Sequence, residues 1–112
     1  MEKKETKKQL ESKASNLGNL IEYQEGSVVS RTIIDKKSGT ITLFAFDENQ
    51  GLSEHPAPYD AVVYVIEGQV EVTLSGKLFT LGKGEIIIMP ANKPHALNAK
   101  TKFKMLLTMI TS

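Results

Sequence analysis

Short β-type segments divided by turn residues fill most of this chain, and no helix-length periodic stretch interrupts them. Residues 28–34 are rich in β-branched side chains, residues 35–39 (DKKSG) have turn chemistry, and residues 40–46 follow as the second arm of a hairpin. In that second arm Thr42, Phe44 and Phe46 share one face, with Ile41, Leu43 and Ala45 on the other. Residues 47–60 hold Asn49, Gly51, Pro56 and Pro58 and are expected to form a long loop with His55 in its middle. Residues 61–66 and 70–74 are expected to pair as a hairpin through Glu67-Gly68, with Val70, Val72 and Leu74 inward and Glu71 and Thr73 outward. Strands at 78–81, 86–89, 95–99 and 103–110 complete the series. About eight short strands with this punctuation predict an all-β sandwich or barrel.

One domain is all that 112 residues allow around such a core. The expected division is a polar N-terminal arm at residues 1–18, partly helical or disordered, followed by a single barrel domain at 19–112. Residues 3–15 contain good helix formers, but Leu10 and Ala14 are their only apolar positions, so an amphipathic core helix has little support. The lysines at 3, 4, 7 and 8 alternate with Glu2, Glu5 and Glu11, and the formal net charge is +1. A nucleic-acid partner is therefore not expected. No apolar run approaches the ~20 residues of a membrane span, and the N-terminus does not read as a secretory signal. A cytoplasmic protein with no membrane partner is the expectation.

Zero cysteines exclude disulfides, thiolate nucleophiles and thiolate metal sites. No G-x-S-x-G turn, phosphate loop or dinucleotide fingerprint is present. What remains is the pair His55 and His95 with the carboxylates and amides near them. Strand parity adds a constraint: if His95 points inward, so do Leu97 and Ala99, while Asn98 points away. Parity through Ala61, Val63 and Val65 places Asp60 on the opposite side from them and turns Tyr64 outward. Met105 and Met109 share a face with Phe103 and Leu107, and Met89 closes the strand before Pro90. Such thioethers fill cores or line adaptable cavities.

The segment from Gly84 through Pro90 to His95 resembles the second motif of the cupin superfamily, G-x5-P-x-G-x2-H-x3-N, with Asn92 at the glycine position and Ala99 at the final asparagine. The first motif, G-x5-H-x-H-x3/4-E-x6-G, can be laid on His55 through Gly68, which keeps His55 and puts Ala57 and Ala61 at two ligand positions. The resemblance implies a small single-domain cupin, a double-stranded β-helix or jelly-roll barrel, and covers residues 40–110. Its family metal site uses three histidines and a glutamate, of which two positions survive here.

Three roles stay open for His55 and His95: ligands of one weakly held divalent transition metal, aided by Asp60 or Glu54; polar groups orienting an organic ligand; or hydrogen-bonded histidines without function. Glu54, Tyr59, Asp60, Met89, Asn92 and Met105 are the expected pocket residues. A cupin that binds a small molecule in its barrel is the leading expectation. The alternative is a metal-dependent isomerase, dioxygenase or lyase acting on a small polar substrate. Either reading expects a homodimer, because small domains leave sheet edges and apolar faces to cover, and residues 28–34 are the expected contact.

Overall fold

The computed structural model describes residues 2–111; Met1 and Ser112, the outer ends of the expected arm and barrel, lie outside the described residues. Among the described residues, a helix, α1 (Glu2–Leu10), and a 3₁₀ turn at Leu17–Asn19 precede nine strands. These are β1 (Val28–Lys36), β2 (Gly39–Phe46), β3 (Gly51–His55), β4 (Asp60–Glu67), β5 (Val70–Leu74), β6 (Lys77–Leu81), β7 (Ile86–Met89), β8 (His95–Ala99) and β9 (Phe103–Ile110). They form two antiparallel sheets, one ordered β1-β2-β9-β4-β7 and the other β3-β8-β5-β6. No helix among the described residues is long and apolar enough to cross a membrane.

The barrel interior is filled by the inward face of each strand. Phe46, Val63, Val65, Val70, Val72, Phe103 and Met105 are fully buried there, and the rings of Phe46 and Phe103 stack with centroids 4.7 Å apart. Burying a side chain of this size contributes roughly 1.5–3 kcal/mol, so this interior is the main source of stability. Alternation on β2 sends Leu43 and Ala45 the other way, and they are buried too, under Ile21 and the half-buried Leu17, Leu20 and Tyr23. The N-terminal segment thus roofs part of the outer face of the five-stranded sheet.

Polar anchors hold that roof. Lys104, only 8% exposed, donates from Nζ to the Gly18 carbonyl at 2.6 Å, and the Tyr23 hydroxyl donates to Glu67 Oε2 at 2.6 Å. Burial first, and then the Glu67 carboxylate, push the Tyr23 phenol well above its usual range. Arg31 on β1 donates to the Leu20 carbonyl at 2.7 Å and to Gln9 Oε1 at 2.9 Å. Helix α1 packs on β1, so much of the 28–34 face expected to meet a second copy is occupied by the chain's own N-terminus.

Two expectations are corrected. Residues 60–67 and 70–74 are not a hairpin: β4 pairs with β7 and β9, whereas β5 pairs with β6 and β8 in the opposite sheet. The chain turns between sheets at Gly68, whose φ is +82° and where a Cβ would lie 2.0 Å from the Lys102 carbonyl oxygen. A glycine is required by both conditions. β5 instead forms a hairpin with β6, whose central residues Ser75 and Gly76 both have positive φ, as a tight two-residue turn demands. The second correction is β3, which lies inside the segment expected to be a loop. Its residues lack a β-type pattern of their own, and pairing with β8 is what extends them.

Candidate functional site

β3 and β8 meet in a ladder that places Leu52 opposite Leu97 and His55 opposite His95, with an irregularity between the two pairs. The imidazole centroids are 4.6 Å apart and their planes lie at 61°, an edge-on contact. His95 is 7% exposed, while His55 stands exposed at the rim. Each ring bonds a backbone carbonyl two residues earlier on its own chain segment: His55 Nδ1 to Ser53 O at 2.8 Å and His95 Nδ1 to Lys93 O at 3.2 Å. A carbonyl oxygen can only accept, so both Nδ1 atoms carry protons. In the neutral rings the lone pairs are then on Nε2, at the tips.

The two histidines border a cavity of about 160 Å³, otherwise lined by Leu52, Ala57, Ala61, Met89, Leu97, Met105, Leu107 and Met109. Parity explains most of this lining. His95, Leu97 and Ala99 are buried and Asn98 is exposed; Ala61, Val63 and Val65 are buried and Tyr64 is exposed. Met89 and Met105, expected at the pocket, line it.

Glu54, Tyr59, Asp60 and Asn92, also expected there, are not part of the lining. Glu54 is exposed beside His55, and Tyr59 is half-buried. Asp60 turns away from the cavity and accepts a hydrogen bond at Oδ1 from the Ala91 amide at 2.9 Å. Asn92 has a φ of +67°, the conformation that explains a glycine in the motif, and its backbone N–H donates to the Ala57 carbonyl at 2.6 Å. Asparagine is among the few non-glycine residues that adopt it readily. Asp60 and Asn92 therefore clamp the loop before His95 to the segment after His55, and so position both rings. Leu52 was hidden in the sequence because its strand was, and Leu107 and Met109 follow from the face they share with Met105.

A cupin domain model matches residues 42–111, and the chain belongs to the cupin family. Among solved structures, a conserved protein of unknown function from Streptococcus pyogenes is 32% identical, with a TM-score of 0.87 over 90% of this chain and 89% of that one. A cupin 2 conserved barrel domain protein from Leptotrichia buccalis is 41% identical, with a TM-score of 0.83 over 86% of this chain and 47% of that one. The polyketide synthase CurC of Streptomyces cyaneus is 30% identical over 70 residues, which are 62% of this chain and 46% of that protein. The chain thus spans less than half the length of CurC.

Aligned on the two cupin motifs, the four metal-ligand positions are His55, Ala57, Ala61 and His95, and all four border the one cavity. Two of them are methyl groups. Among the described residues no group of three or more His, Cys, Asp or Glu side chains comes together. Structural metal sites take four protein ligands and catalytic ones three, so the residues present do not fit the family's metal centre. The same substitutions leave apolar space where ligating side chains would stand.

Proposed function

We propose that this cupin is a small-molecule binding protein whose ligand sits in the barrel cavity that His55 and His95 border. One observation carries the reading: the four family ligand positions all line a single, mostly apolar cavity in which His55 and His95 are the only polar side chains. Ligand sites are concave and mostly apolar, with a few convergent polar groups that fix orientation. The cavity has that composition, with alanines at positions 57 and 61 making the room.

A metal-dependent enzyme is the second reading, an isomerase, dioxygenase or lyase on a small polar substrate. It draws support from the carbonyl bonds at both Nδ1 atoms, since metal-binding histidines commonly have the other ring nitrogen held this way. A divalent cation there would have two protein nitrogens and otherwise solvent, so weak binding is the expectation. The 30% identity to CurC covers too little of that protein to carry a reaction to this chain.

Metal analysis and native mass spectrometry of untagged protein separate the two readings. Metal below stoichiometry, with an organic molecule retained by the wild type, supports the binding protein. Stoichiometric metal lost in both His55→Ala and His95→Ala supports the enzyme.

The reading includes a homodimer, but through a different surface from residues 28–34. Tyr64, Ile86 and Ile88 are 38%, 58% and 58% exposed, and pairing of Tyr64 with Ile86 and of Val62 with Ile88 puts them on one outer face. That face continues the apolar surface that the N-terminal segment covers on β2, which favours a second copy as its cover. Light scattering that returned a 12.3 kDa monomer at micromolar concentration would remove this part of the proposal.

A further inference from the structure

The binding reading above leaves the ligand's chemistry open, and the cavity itself narrows it. We infer that, given that reading, the ligand class is a single-ring phenol whose hydroxyl donates to Nε2 of His95. Size comes first. At about 160 Å³ the cavity is close to the ~150 Å³ at which an apolar cavity in a protein interior stays dry and admits benzene. One aromatic ring fits it.

Wall chemistry selects an aromatic ring over an aliphatic one. Three of the ten lining residues are methionines, Met89, Met105 and Met109. Thioether sulfur gains from contact with aromatic ring edges and has no such partner in a cyclohexane ring. The other apolar walls are Leu52, Leu97, Leu107 and the two alanines, which bring no hydrogen-bonding side chain.

The polar requirement comes from the histidines. Both Nδ1 protons are committed to the Ser53 and Lys93 carbonyls, so a neutral ring has only the acceptor at Nε2 left for a ligand. A ligand matched to them must bring the donor. A hydroxyl does so with one atom, whereas a ketone or ester presents only acceptors to acceptors. A carboxylate would bury its charge among mostly apolar walls. His95, at 7% exposure, is the ring removed from water and so the better hydrogen-bond partner for a buried hydroxyl. Exposed His55 packs against its edge and bounds the entrance.

The test is a ligand series on the intact chain, labelled with ¹³C at the methionine methyls and followed by NMR at neutral pH. Benzene, fluorobenzene, phenol, cyclohexanol and benzoate are the probes. Phenol is expected to bind about tenfold tighter than benzene or fluorobenzene, the margin of one buried hydrogen bond, and tighter than cyclohexanol and benzoate. His95→Leu is expected to abolish the advantage of phenol over benzene and fluorobenzene. Fluorobenzene matches phenol in size without donating, so the wild type alone decides the point if the variant does not fold. Phenol equal to fluorobenzene, or benzoate tightest of the five, overturns the phenol assignment while the cavity still binds. No response to any ring overturns it together with the binding reading.

Discussion

His55 and His95 are direct cross-strand neighbours, one at the end of β3 and the other at the start of β8, with ring centroids 4.6 Å apart. Each is tied at Nδ1 to a carbonyl that precedes it by two residues. The first prediction concerns this arrangement. Long-range ¹H–¹⁵N correlation at a pH where the rings are neutral should find both as Nδ1–H tautomers with unprotonated Nε2. An Nε2–H tautomer at His95 would remove the acceptor on which the ligand assignment depends.

Asn92 occupies a left-handed position that the family motif fills with glycine. Asn92→Gly should be neutral or slightly stabilising, while Asn92→Ala should cost about 1 kcal/mol, the ordinary penalty for an alanine forced into that region. Urea unfolding measures both. The bond to the Ala57 carbonyl comes from the Asn92 backbone N–H and is kept in both variants, so the cost reports the backbone conformation alone.

Gly68 combines a φ of +82° with a space that the Lys102 carbonyl and Phe103 already fill. Gly68→Ala should cost about 3 kcal/mol or more in urea unfolding, a strained backbone and a backbone clash together. A cost below about 1 kcal/mol would mean that the crossing between sheets is looser than described.

Asp47 accepts the Gly26 amide at 2.7 Å through Oδ2 and the Glu48 amide at 2.9 Å through Oδ1, and these bonds hold its carboxyl below the usual range, the Gly26 bond most of all. A depressed folded value means stability that is present above the unfolded pKa and lost as pH falls through the folded one. The stability gap between wild type and Asp47→Asn should therefore be widest near neutral pH and close in strong acid. Urea midpoints measured across that range check it, and a gap independent of pH would contradict it.

Much of this was legible in the sequence because a strand's side chains alternate. Parity alone put Leu97 and Ala99 with His95, excluded Asn98 and grouped Met105 with Met109. Pairing was less legible. Residues 60–67 and 70–74 have the pattern of a hairpin, yet they belong to opposite sheets, because alternation records which face is buried and not which strand lies alongside. β3 was invisible for the same reason: Gly51 and Leu52 extend only because β8 accepts them, so Leu52 could not be placed in the lining. Asp60 and Asn92 looked like site residues by proximity, and their role as clamps depends on hydrogen bonds to Ala91 and Ala57 that no local pattern records.

The central claim is that a ligand-sized apolar cavity has replaced the family's metal centre. Xenon titration of ¹³C-methionine-labelled protein tests it most directly, since xenon enters dry apolar cavities irrespective of ligand identity. Wild type should show saturable shifts at Met89, Met105 and Met109, and Ala61→Leu, which fills the space while keeping the β-sheet circular dichroism spectrum, should abolish them. Absence of shifts in the wild type, or equal shifts in folded Ala61→Leu, would contradict the account.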